Sequence, residues 1–135
     1  MSTNFKGNFA ATAIGSLPHT DVRKACEIMF QSLPERPCWP QMPRLSANED
    51  MCIHYTEGLP CAVIQADGKT MTIDDSRDTS NALADFYDRY LKNDPDMFPI
   101  SHDCAIGFYA MLEHLNKASK NNLRAIKGHI VGPIT

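Results

Sequence analysis

The residues best suited to holding a small molecule are Ile14, Gly15 and Ser16, with His19 three positions further on. A glycine lets a ligand come close to the backbone. The Ser16 hydroxyl offers one donor and two acceptor lone pairs, and His19 adds a ring that titrates near neutral pH. A proline-rich stretch carries Trp39, a candidate lid over a site mouth, and Arg44, whose guanidinium suits a carboxylate or phosphate. Gly132 and Pro133 close an apolar run and are candidate site-lining residues, while His129 inside that run reads as a satisfied core or interface residue. Metal chemistry is harder to assemble. Cys52 and His54 are two apart, so on a helix they diverge by about 200° and cannot share an ion. Asp74, Asp75 and Asp78 read as an acidic, solvated loop ahead of a helix, and Cys26 and Cys104 as inert helix-core thiols. The chain by itself therefore supplies no metal site and no assigned catalytic residue.

The elements that must position these groups follow from periodicity. Small and β-branched residues over 11–15 predict a strand running into the Gly15-Ser16 turn. Thr20 is a plausible N-cap, with Asp21 in the first turn. Val22, Ala25, Cys26, Met29 and Leu33 then mark one helix face, ended by Pro34 and Pro37. Residues 37–45 hold three prolines in all, besides Trp39, Gln41 and Arg44. Missing donors and fixed φ make this an extended, stiff loop, neither helix nor inner strand. Asn48 or Ser46 could cap a short helix reaching Tyr55 and Thr56, stopped by Gly58 and Pro60. Residues 61–65 and 70–74 flank Asp67-Gly68, a hairpin-turn pair. Leu83, Phe86, Tyr87, Tyr90 and Leu91 predict an amphipathic helix. A second helix capped by Asp103 carries Ile106, Phe108, Tyr109, Met111, Leu112 and Leu115 and should be buried on most sides. A last strand is expected over residues 123–131.

Composition narrows the class. One domain spanning residues 1–135 with a real core fits the length and the 43% hydrophobic content. The formal net charge is −3 and no basic run exceeds two residues, which gives a nucleic acid or membrane surface nothing to bind. No apolar run approaches the ~20 residues of a membrane span. The five cysteines are scattered and show no C-x-x-C, which points to reduced thiols in a cytoplasmic protein. Two parallel strands cannot close a sheet on their own. With Gly132-Pro133-Ile134-Thr135 resembling a turn just begun, the chain reads as the N-terminal piece of a larger α/β protein.

Residues 13–20, Ala-Ile-Gly-Ser-Leu-Pro-His-Thr, are similar to the Ile-Gly-Ser-Phe-Pro-Gln-Thr motif of the cobalamin-independent methionine synthases. Residues 129–135, His-Ile-Val-Gly-Pro-Ile-Thr, look like the Gly-Pro-x-Thr strand end of the same family. Residues 39–44 and 57–60 resemble signatures of shorter relatives in the uroporphyrinogen decarboxylase and methionine-synthase-like superfamily. The resemblance implies an α/β fold, the N-terminal portion of a TIM (β/α)8 barrel with an inserted β-hairpin; such barrels typically need ~250 residues. It also implies a methyltransferase of methionine biosynthesis that moves a methyl group to a zinc-activated thiol. By position it nominates Ile14, Gly15 and Ser16 for substrate binding, with zinc ligands supplied by later strands. His19 stands where the family usually has Gln, so the substrate is expected to differ. The implied partners are a small-molecule thiol and a methyl donor. The alternative is a free-standing α/β binding protein, not an enzyme, that completes its sheet by homo-oligomerisation through open strand edges. A decarboxylase of the related superfamily would need an acidic and Arg set that is not visible here.

Overall fold

The computed structural model describes residues 6–65, 70–74, 76, 78–97, 100–117 and 122–130. Within them the chain is mixed α/β: α1 (Val22–Ser32), a 3-10 turn (Ala47–Glu49), α2 (Met51–His54), β1 (Ala62–Ile64), β2 (Met71–Ile73), α3 (Ser80–Leu91) and α4 (Ile106–Lys117). None of these helices is long and apolar enough to cross a membrane.

The periodicity of α1 holds, with Ala25, Cys26 and Met29 on its buried face. Its cap is Asp21 rather than Thr20. The Asp21 carboxylate accepts the free N–H groups of Arg23 (3.0 Å) and Lys24 (3.1 Å), and an ionised acceptor at that end also gains from the helix dipole. The expected short helix is split in two: Ser46 caps the 3-10 turn, whereas α2 is capped by Asp50 and not by Ser46 or Asn48. β1 and β2 pair antiparallel with Val63 opposite Thr72, which is the expected hairpin; its Asp67-Gly68 turn lies outside the described residues. The apolar stripe of α3 is present, but no residue of that helix is buried, and Tyr87, Tyr90 and Leu91 are exposed. α4 buries Gly107, Met111 and Leu115 and packs against α1, while Leu112 faces outward.

The largest departure from expectation concerns residues 36–41. This proline-rich stretch is not a surface loop: every residue of it is buried. It runs between the two segments expected to be neighbouring strands, and both outer segments are parallel to it. On one side Gln41 N–H donates to the Gly15 carbonyl (2.8 Å) and Leu17 N–H donates to the Gln41 carbonyl (2.9 Å). On the other, Trp39 N–H donates to the Lys127 carbonyl (3.1 Å) and Lys127 N–H to that of Pro37 (3.0 Å). Two prolines are tolerated because only Trp39 and Gln41 have to donate, one to each neighbour. The switch of sides falls across Pro40, which has no N–H to place. Residues 11–15 and 123–130 are held by single bridges and do not form regular strands.

Two further bonds tie the segments, the first joining the two outer ones and the second joining the first segment to the central one. Lys127 Nζ donates to the Ala13 carbonyl (2.7 Å) and Thr12 Oγ1 to that of Arg36 (3.3 Å). Cys26, Trp39, Ala105, Met111 and Leu115 form the core cluster on the helical side, flanked by Phe30, Phe108 and Leu123. Burial of the central segment under α1 and α4 thus fixes where the carboxyl ends of all three segments emerge.

Candidate functional site

Gly15-Ser16, Gln41 and His129 stand at or near those three carboxyl ends, and α2 brings His54 and Tyr55 alongside. Gly15 is buried with φ +136°, a backbone conformation that side chains disfavour. A Cβ there would lie 2.8 Å from the Trp39 carbonyl oxygen and 3.0 Å from Cε1 of His129. Glycine is therefore what allows the first turn to close over the second and third segments.

A polar chain runs inward from this turn. The exposed Ser16 donates its hydroxyl to Oε1 of Gln41 (3.4 Å), and Gln41 Nε2 donates to Nδ1 of His54 (3.0 Å). Gln41 and His54 are both fully buried. With Nδ1 accepting, the His54 proton sits on Nε2, which has no partner among the described residues. The Trp39 indole is the hub of the surrounding rings. It stacks on His54 (centroids 5.2 Å, 27° between planes) and meets His129 at 4.7 Å and Phe108 at 4.9 Å. Tyr55 donates its hydroxyl to the His129 carbonyl and so anchors the third segment.

His129 is not the satisfied residue its sequence position suggested. Both of its ring nitrogens are shielded from solvent without a partner among the described residues, as is Nε1 of Trp39. Burial pushes the His54 ring below its ordinary pKa, helped by the neighbouring His129 and opposed by Asp50. Burial, then Lys127, does the same to His129.

Other nominated residues lie elsewhere. The Ile14 side chain is 72% exposed and points out of the cluster. His19 is half-buried on the turn before α1 and takes no part in the hydrogen bonds that join the cluster. Arg44 is exposed in a separate open groove of about 670 Å³ with Thr20, Ser46 and Asp50. Trp39 is a buried hub, not a lid, because its ring is sandwiched into the core by Phe108 and His54. Gly132 and Pro133 lie outside the described residues. No protein-family model, curated protein or solved structure matches this chain.

Metal-ligating residues do not converge. Among the described residues no three His, Cys, Asp or Glu side chains are grouped to hold an ion. Cys52 is exposed whereas His54 is buried, so the pair diverges as helix geometry requires. Asp74 accepts from Ser76 N–H (3.0 Å) and Asp78 from Ser80 N–H (3.0 Å), which is local capping of the turn before α3. Cys26 is buried, and burial raises its thiol to about 11. Cys104 belongs to the turn ahead of α4, not to a helix, and is also raised by partial burial.

The two depressed histidines set an acid limit on stability. A ring whose folded pKa lies below its unfolded value costs nothing above about pH 6.5, where both states are neutral. As pH falls below that, the unfolded chain takes up protons that the fold refuses, and stability is lost with them. The urea midpoint should therefore drop between pH 7.5 and 5.5. His54→Asn keeps an acceptor for Gln41 and should flatten that drop; an unchanged slope would mean that His54 does not titrate with folding.

Proposed function

We propose that this chain is the N-terminal part of a methionine-synthase-like methyltransferase, built as the beginning of a TIM barrel. In this reading Gly15 and Ser16 hold the thiol that receives the methyl group. The observation that carries it is the clasp of Gln41 on Gly15 and Leu17. Through it the Ile-Gly-Ser turn comes to lie at the carboxyl edge of three extended segments, parallel and adjacent in chain order. That edge is where barrels place their substrate sites. The exposed Ser16 hydroxyl and the imidazoles of His54 and His129 behind it supply polar groups suited to orienting a small ligand.

The described residues do not fit the zinc that this chemistry uses, since they offer no three-ligand set. Zinc ligands are therefore assigned to residues outside those described, and no step is derived through the metal. What this chain contributes is placement: Gly15 permits close approach, Ser16 hydrogen-bonds the ligand, and the ring cluster keeps water from the floor of the site.

A paired titration tests this division of roles. The 135-residue chain should take up no zinc in a tight one-to-one site, and cysteine at millimolar concentration should shift the Gly15 and Ser16 amide resonances. A stoichiometric zinc site would overturn the assignment of the metal. Unmoved Gly15 and Ser16 amides would overturn the substrate role. The alternative, a binding protein that dimerises, draws on the 72% exposure of Ile14 and the 78% exposure of Ile130 on the outer segments. It expects a concentration-dependent dimer in sedimentation, with no response to thiols.

A further inference from the structure

We propose that Gln41 and His54 are positioning residues that commit Ser16 to accepting, so that the site takes a thiol bearing an ammonium group rather than one bearing a carboxylate. This rests on the reading of Ser16 as a substrate contact and adds the charge of the substrate to it.

The argument is a count of protons. Ser16 has a single hydroxyl proton, and Oε1 of Gln41, 3.4 Å away, is its acceptor within the protein. That oxygen is held in place because the other half of the amide, Nε2, donates to Nδ1 of His54. His54 cannot turn away: it is fully buried, stacked on Trp39 and edge-on to Tyr55. Burial keeps its ring neutral, so Nδ1 retains the lone pair that receives the Gln41 proton. The chain thus has one direction, from the surface hydroxyl inward, and it leaves the exposed face of Ser16 Oγ with lone pairs only. A ligand ammonium satisfies them, whereas a ligand carboxylate meets an oxygen with no proton to give. The Leu17 N–H beside Ser16 offers a carboxylate nothing further, because it is already spent on the Gln41 carbonyl.

Had the Gln41 amide the opposite orientation, His54 would carry its proton on Nδ1 and Ser16 would receive a proton from Gln41. The hydroxyl would then be free to donate, and a carboxylate would be preferred. The two directions make opposite forecasts for one pair of probes.

The test compares cysteamine, which has a thiol and an ammonium, with 3-mercaptopropionate, which has a thiol and a carboxylate, by NMR titration of the purified protein followed at Ser16. Cysteamine should bind about tenfold more tightly, the scale of one hydrogen bond to a charged group. Gln41→Leu frees the Ser16 proton and should bring the ratio to about one. Gln41→Glu keeps an acceptor for Ser16 and should retain the preference. A ratio of two affinities in one sample does not depend on how much of a variant is folded, so loss of stability cannot mimic the result. An equal or reversed preference in the parent protein, or a preference that survives Gln41→Leu, overturns the proposal, as does the absence of any shift at Ser16 with either probe. Propylamine separates the layers. If it binds as well as cysteamine and with the same dependence on Gln41, the commitment of Ser16 stands and the thiol reading fails.

Discussion

Gly107→Ala is expected to cost ~3 kcal/mol or more and to leave the protein largely unfolded in mild urea. Gly107 lies in the first turn of α4, directly against the central segment. A Cβ at this position would come within 1.9 Å of the Pro40 carbonyl oxygen and 3.0 Å of its carbon. Both are backbone atoms of a segment buried on every side, so neither can step aside as a flexible side-chain tip could. Relief requires α4 to move outward. That movement would loosen the Trp39–Phe108 contact and the packing of Met111 and Leu115 in the core. Gly128→Ala is the control: nothing lies within 4 Å of its Cβ, and its effect should stay within ~0.5 kcal/mol. Circular dichroism followed through a urea titration of the two variants makes the comparison. Similar midpoints for both would mean that α4 does not bear on Pro40.

Glu49→Ala is the second large effect, expected to cost ~3–5 kcal/mol. Glu49 is fully buried, and its carboxylate joins two elements far apart in sequence. Oε2 accepts from Met42 N–H (3.0 Å) and Oε1 from Gly107 N–H (3.3 Å). Gly107 N–H is one of the unpaired donors at the start of α4, so Glu49 caps that helix from 58 positions away. Truncation strands two buried donors and opens a cavity. Burial raises the carboxyl pKa, against the pull of those N–H groups, so keeping the charge carries its own cost. Glu49→Gln removes that cost and one acceptor together, and should fall between the parent and Glu49→Ala. A loss below ~1 kcal/mol for Glu49→Ala would mean that water replaces the carboxylate at both donors.

The raised Glu49 and the depressed histidines act on acid stability with opposite signs. Glu49 favours the fold as pH drops toward its raised pKa, whereas His54 and His129 disfavour it below about 6.5. The loss of stability on acidification is therefore assigned to the rings, since Glu49 acts in the opposite direction.

Much of the local structure was legible in the residues. The i, i+3, i+4 spacing of Val22, Ala25, Cys26 and Met29 specified α1 and its buried face, because helical geometry alone decides which residues share a side. The hairpin over 62–73 was equally local. The stripe of α3 specified a helix but not its partner, and no residue of it is buried. Residues 36–41 were misread for a definite reason. Proline removes donors, and a strand flanked on both sides needs donors on both sides. Here two N–H groups suffice, one for each neighbour, an arrangement that cannot be read without knowing where the neighbours lie.

The site divides along the same line. Residue type marked Gly15 and Ser16, since a backbone at φ +136° and an exposed hydroxyl are properties that a Gly-Ser pair carries with it. Gln41, His54, Tyr55 and His129 came together only through folding. They belong to the central segment, to α2 and to the third segment, and no spacing along the chain links them. The sequence by itself determined which turn could receive a ligand, because local backbone freedom and functional groups are written one residue at a time. Tertiary structure alone decided what stands behind that turn, because the hydrogen bonds there join partners 13 to 25 positions apart.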